Sequence, residues 1–303
     1  MFYTLLKVQH FFESLYQSLV SILRVIFRLR FSSGLKHLNP DGSEIFVLAN
    51  GPSLRDDLDN YGNQLASKTC LGVNMFALSG DFEKIRPEYY VMLDIGFFIE
   101  NTIPRVKEAR DKVLASLGEK LSWEMTLLVP AEGKNSYFHK QLLSKNLSLN
   151  FVFFNRTVVT GFRGLRHFMY SKGLGMPPPQ NVLIGSLVLA LNAGFSSIYV
   201  LGADHSWHRD LLIGDDGGIE ISDKHFYDKK SARLKVIHPE TLEQSKIHDF
   251  FANLARTFKS YHLIEQYAKS RGVKILNASS ISYIDAFDKV KLEDILGNQP
   301  FDK

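Results

Sequence analysis

Seven short, almost wholly apolar runs constrain this chain more than any other feature: Ile45–Ala49, Cys70–Val73, Tyr89–Leu93, Thr126–Val129, Phe151–Phe154, Ser197–Leu201 and Val273–Leu276. A strand with one wet face alternates apolar and polar residues. Runs of four or five apolar residues belong to strands covered by helices on both sides, which is the parallel-sheet arrangement. Helical stretches lie between the runs, clearest at Leu183–Ala193 and Phe250–Arg271. The expected fold class is therefore α/β, doubly wound around a mostly parallel, Rossmann-like sheet. With 303 residues and 45% apolar content the chain can bury one large core, and neither a repeat nor a low-complexity segment interrupts it. A single cysteine, Cys70, excludes a disulfide framework and a cysteine-based zinc cluster, and fits a reducing compartment. A net charge of +4 is far from a nucleic-acid footprint, so no nucleic-acid partner is expected.

Basic charge gathers at the N-terminus. In residues 1–31 the polar positions Lys7, His10, Ser14, Gln17, Ser21, Arg24 and Arg28 recur at steps of three and four, a narrow polar stripe on an otherwise apolar helix. The stripe keeps every apolar stretch short of the ~18 residues that a spanning helix needs. Lys7, His10 and Glu13 fall where a signal peptide has its apolar core. Two expectations stand: a helix packed on the body or on another subunit, or one lying in a membrane interface with Arg24, Arg28 and Arg30 toward anionic headgroups. The second places the protein in the cytoplasm, peripheral on the inner face of the membrane. Residues 1–39 thus form a helical N-terminal segment, and the turn signal Pro40-Asp41-Gly42 opens an α/β domain over residues 40–303.

Two stretches break the strand–helix rhythm. Met176-Pro177-Pro178-Pro179-Gln180 reads as a loop entering a helix near Asn181. Residues 205–249 are polar and weakly periodic, as expected of a lid.

Open α/β sheets bind ligands beyond the carboxyl ends of their strands. Four ends carry polar residues: Asn50 to Ser53, Asn74, Asp94, and Asp204 with His205. Each alone is ordinary turn or cap chemistry, but topology delivers all four to one rim. In Asn50-Gly51-Pro52-Ser53-Leu54, Gly51 permits close backbone approach, Pro52 fixes the turn, and Ser53 is placed to cap the next helix. Free N–H groups there would favour a phosphate. The loop is neither a dinucleotide fingerprint nor a Walker A loop. Asp57-Leu58-Asp59 formally spells a DxD, yet it falls within a helix or its loop rather than at a strand end, and no metal is expected there. Asp204, His205 and His208 lack the helix that would make them a metal cluster. Histidines in the lid, His225 and His238, are candidate general bases, because imidazole titrates near neutrality.

Taken in order, Phe46–Leu54, Val73-Asn74-Met75-Phe76, Asn181 with Ala193-Gly194-Phe195, and Ile198–Asp204 resemble glycosyltransferase family 42, bacterial sialyltransferases that use CMP-activated sialic acid. The chain also resembles the related motility-accessory-factor glycosyltransferases, whose relatives include a pterin diphosphokinase. The likeness covers roughly residues 43–205 and, more loosely, 250–285. It implies a sialyltransferase-like variant of the GT-A fold and an inverting transfer of an acidic sugar, sialic acid or another nonulosonate, from a CMP donor to a cell-surface glycan. It implies no cofactor beyond that donor. Asn50, Gly51, Pro52 and Ser53 would lie against phosphate and sugar, and Asn74 near the phosphate or the donor carboxylate. Asp94 and Asn181 would be donor contacts, while Gly202 and Asp204 would hold the cytidine. His205-Ser206-Trp207 stands where the family has aromatic residues that supply tyrosine hydroxyls, and Tyr227 is the nearest tyrosine. The family's catalytic histidine could be His225, His238 or His262; His225, beside Phe226-Tyr227-Asp228, is preferred. Expected partners are the nucleotide sugar, a glycan or lipid-linked glycan acceptor, a membrane surface, and a possible second copy of the chain. The rival activity is ATP- and Mg²⁺-dependent diphosphokinase-type phosphotransfer, with Asp94, Asp204 and Asp57 as ligands.

Overall fold

The structure, a computed structural model, describes residues 2–30, 38, 43–145, 147–223, 226, 232–236 and 243–297. It opens with α1 (Phe2–Arg28). The α/β body then runs β1 (Glu44–Leu48), α2 (Leu54–Leu65), β2 (Cys70–Val73), α3 (Phe82–Ile85), β3 (Tyr89–Val91), α4 (Pro104–Lys120), β4 (Met125–Pro130), α5 (Tyr137–Leu143) and β5 (Leu149–Phe154). After α6 (Arg163–Ser171) and α7 (Val182–Ala193), β6 (Ser197–Leu201) re-enters the sheet. Three short strands follow: β7 (Leu211–Ile213), β8 (Ile219–Asp223) and β9 (Ala232–Lys235). The chain closes with α8 (Ile247–Ser270), β10 (Lys274–Asn277), β11 (Asp288–Lys289) and α9 (Leu292–Leu296).

Eight strands form one sheet in the order β11-β10-β6-β1-β2-β3-β4-β5, and every pairing in it is parallel. All seven apolar runs are strands of this sheet. Successive residues feed opposite cores, Ile45 and Val47 one and Phe46 and Leu48 the other, so the runs must be apolar on both faces. Helix α7 is apolar all round because it is buried all round. Gly194, left-handed at φ +100°, ends it and frees the chain to turn into β6. β11 pairs over two residues with no apolar run to announce it.

β1 lies between β2, which follows it in sequence, and β6, which arrives about 150 residues later. The strand order therefore reverses beside β1, and the crevice at such a switch point is where α/β sheets place their ligands. Between β6 and α8 the expected lid contains β7, β8 and β9, a small antiparallel sheet.

α1 meets the body along a narrow seam. The Ser21 hydroxyl donates to the Thr160 carbonyl (3.1 Å) and accepts from the Thr160 N–H (2.8 Å), while Ser18 Oγ accepts from the Phe162 N–H (2.9 Å). Val25 joins the core, and at Gly161 an added Cβ would sit 2.2 Å from Ser18 Oγ. The polar stripe thus divides: Ser14 and Ser21 turn toward the protein, whereas Arg24 and Arg28 stay in solvent.

Candidate functional site

A cavity of about 720 Å³ opens at the switch point, lined by Asn50 to Pro52 after β1, Asn74 after β2, Asp94 after β3, and Gly202 with Asp204 to Trp207 after β6. Arg156 beyond β5, Pro179 to Leu183 at the start of α7, and the apolar Ala49, Leu93 and Ile95 complete the wall. Nine of the expected site residues line it: Asn50, Gly51, Pro52, Asn74, Asp94, Asn181, Gly202, Asp204 and His205. Ser53 stands directly behind it. His225, Tyr227 and His238 lie outside the described residues. His262 sits on α8, half exposed, with Nε2 3.1 Å from Asp285 Oδ1, and does not line the cavity.

The β1 and β6 ends are bound tightly to each other. Gly51 N–H donates to the Gly202 carbonyl (2.8 Å). Asp204 accepts from the Ser53 N–H (3.0 Å) and from the Ser53 hydroxyl (2.5 Å). Burial raises the Asp204 carboxyl above its ordinary range, against the lowering pull of those Ser53 donors. Two sequence expectations change here. Ser53 makes no side-chain cap on α2; its hydroxyl serves Asp204, whose carboxylate takes the backbone donor instead. The α2 entrance is also no open phosphate cradle, since Leu54 and Arg55 N–H bond to the Gly51 and Pro52 carbonyls (3.1 and 3.2 Å).

The free helix start in this cavity belongs to α7. Asn181 caps it by accepting from Ile184 N–H (3.1 Å). Val182 and Leu183, the first two helical residues, line the cavity, and among the described residues no acceptor meets their N–H groups. Such a start favours an anion. Arg156 adds a full positive charge to the wall, its Nε 3.6 Å from a Glu132 carboxylate oxygen, an ion pair too long to be a hydrogen bond. Neither donor was foreseen from the sequence. Arg156 sits two residues past its strand's apolar run, and one arginine among 36 basic residues carries no signal until the topology is known.

Asn181 also fixes His205. Its Nδ2 lies 2.9 Å from Tyr261 Oη and 3.2 Å from His205 Nε2, and the tyrosine hydroxyl is 2.6 Å from that same nitrogen. With its proton on Nδ1, the neutral ring leaves Nε2 to accept from the Tyr261 hydroxyl. Burial pushes the imidazole down to about 3, so it is neutral at any working pH and is no proton shuttle. The residue sits at φ +53° and Asn74 at +45°, a left-handed backbone that costs a histidine more than an asparagine. Trp207 lies against the imidazole, ring centroids 4.5 Å apart, and presents an aromatic surface to the cavity. Asn181→Ala is expected to cost about 1–3 kcal/mol, from the lost α7 cap and the lost Nδ2 donor to the buried Tyr261 hydroxyl, measured by urea unfolding.

The acidic candidates do not converge. Asp57 is buried and lines a separate cavity of about 620 Å³, whereas Asp59 is exposed and pairs with Arg55 (3.2 Å). Asp94 accepts from the Gly96 N–H (2.8 Å). His208 packs edge-on against Tyr283. Among the described residues, no group of three histidine, cysteine or acidic side chains is arranged to hold a metal.

Comparison with solved structures gives the fold a precedent. The chain is similar to the MAf glycosyltransferase from Magnetospirillum magneticum AMB-1, at 14% identity and a TM-score of 0.50 over 89% of this chain. The match spans 37% of that longer chain. No protein-family model and no curated protein matches the sequence. At this identity the likeness speaks for the fold, which is the α/β arrangement expected from the apolar runs.

Proposed function

We propose that the protein is a glycosyltransferase whose 720 Å³ cavity binds a nucleotide-activated sugar. One observation carries the reading: the open start of α7 and the Arg156 guanidinium converge on a cavity whose two carboxylates, Asp204 and Asp94, already accept from the Ser53 and Gly96 N–H groups. That set suits one phosphate and an acidic sugar, the chemistry of a CMP-activated nonulosonate, because it supplies fixed donors and one full positive charge. Trp207 offers the flat surface on which a base or sugar ring can lie, and Asn50, whose Oδ1 has no partner in the protein, and Asn74 carry amides for its hydroxyls. The fold it shares with a glycosyltransferase supports the same class.

In this reading the acceptor hydroxyl attacks the anomeric carbon from the face opposite the phosphate, which inverts the centre. The bond from that carbon to the phosphate oxygen breaks, and the phosphate leaves with the electron pair. Arg156 and the Val182 and Leu183 N–H groups stabilise the charge that develops on it. The hydroxyl proton passes to His225. Its neighbour in sequence, Phe226, is tied to the cavity wall by an N–H bond to the Asn50 carbonyl (3.2 Å). The donor carries its own activation, so no further cofactor takes part.

Thermal unfolding with CMP, CDP, UDP, GDP and ATP, each with and without Mg²⁺, tests the site. A ligand at a hundred times its dissociation constant stabilises the fold by about 2.7 kcal/mol. Cytidine nucleotides are expected to do so without metal. Arg156→Ala is expected to weaken that binding roughly 10- to 100-fold, the loss of a charge-assisted hydrogen bond or two. Stabilisation by ATP with Mg²⁺ alone would overturn the reading in favour of phosphotransfer.

A further inference from the structure

α1 presents its serines to the protein and its bulk to the outside. Leu5, Phe12, Tyr16, Leu19, Leu23 and Ile26 each keep more than half of their surface exposed. Their spacing by three, four and seven places them on one helical face, apart from the face of Ser18, Ser21 and Val25 that meets the body. From Leu5 to Ile26 this makes an apolar stripe about 32 Å long, far beyond the scattered exposed leucines of an ordinary surface. No described helix is long and apolar enough to cross a membrane.

Charge selects the occupant. Arg24 and Arg28 are exposed and Arg30 follows the helix, while Glu13 is the one acidic residue in the first 31. A second copy of α1 laid against the first would bring a single carboxylate, Glu13, against its own three arginines. We infer that α1 lies in the interface of a bilayer containing anionic lipid, its apolar stripe among the acyl chains and its arginines at the headgroups. The chain just past this helix meets the cavity wall: the Arg30 N–H donates to Asn155 Oδ1 (3.1 Å), and the next residue, Arg156, lines the cavity. The site is thereby tethered at the membrane surface. If the glycosyl-transfer reading holds, its acceptor is anchored in the same bilayer.

Sedimentation of the full chain with vesicles decides the matter without any substrate, so its result is independent of the nucleotide experiment. Vesicles of phosphatidylcholine with about 30% phosphatidylglycerol are expected to capture the protein at least tenfold better than phosphatidylcholine alone. Raising salt from about 0.05 to about 0.5 M should weaken capture several-fold. Arg24→Gln with Arg28→Gln should weaken it roughly 30-fold, at about 1 kcal/mol per basic residue. Leu19→Asp with Leu23→Asp should abolish capture and leave the unfolding temperature unchanged, since both side chains face away from the body. Wild-type protein left in the supernatant with either vesicle overturns the inference. So does capture indifferent to these substitutions, or a dimer that they dissociate in a protein that binds no vesicle.

Discussion

Gly51→Ala is expected to destabilise the fold by about 3–5 kcal/mol and to abolish nucleotide binding in whatever folded fraction remains. The cause is a close approach between strand ends. A Cβ at residue 51 would lie 2.4 Å from Asp204 Oδ1 and 2.4 Å from the Gly202 carbonyl oxygen. Neither neighbour can give way. The Gly202 carbonyl is part of the backbone at the end of β6, and the Asp204 carboxylate is held by both donors of Ser53. Gly202 is itself left-handed at φ +63° and packs on Leu54, so the β6 end has no room to retreat. Overpacking of this kind costs about 1–3 kcal/mol, and a buried carboxylate pushed off its donors adds a similar amount. The control is Gly164→Ala in α6, where a Cβ meets nothing within 4 Å; it should be neutral or mildly stabilising. Equal urea midpoints for wild type and Gly51→Ala would mean that the β1 and β6 ends are looser than this geometry.

That close approach also explains what could be read in the sequence and what could not. The apolar runs announce the sheet because burial on both faces leaves its mark in every residue of a strand. Their ends announce the cavity because a parallel sheet brings its carboxyl ends to one rim, and nine expected residues meet there. Residue type did not reveal roles. Gly51 and Ser53 look like a phosphate loop, yet they join β1 to β6, and their backbone donors are consumed within the protein. The open donors arise at the start of α7, where the resemblance marks Asn181 as a donor contact but nothing in the sequence marks the Val182 and Leu183 N–H groups. Asn181 is both a cap and a strut for a neutral histidine, a double role that only three-dimensional contact creates. The short strands β7 to β9 carry too few apolar residues for any periodicity to show. The amphipathic pattern of residues 1–31 was plain, but not which side faces the body, because serine can serve as a packing residue as well as a polar one.

Asp57→Asn is expected to stabilise the protein by roughly 4 kcal/mol at pH 8 and hardly at all near pH 4. Asp57 is 6% exposed, and its Oδ2 has no hydrogen-bond partner. Burial first, then the charges of Asp204 and Asp56, push its carboxyl from 3.8 up to about 7. The folded state therefore holds the proton more tightly than the unfolded chain does. Between about pH 4 and pH 7 the native protein binds more protons, so stability falls as pH rises, and the full penalty is present above the folded value. At about 1.4 kcal/mol per pH unit, the rise from 3.8 to about 7 sets the size of the effect. Asparagine has the same shape and never ionises. Urea unfolding of both proteins across this range should give a difference that grows with pH and levels off above 7. A difference independent of pH would show that Asp57 is already charged, or already neutral, throughout. The position also bears on the site: Asp57 lies in the first turn of α2, and the charge of Asp204 raises its cost of ionising, so each charge that stays on Asp204 makes the proton on Asp57 harder to lose. Asp204→Asn should accordingly lower the pH at which Asp57 ionises, moving the rise in that urea difference toward pH 4.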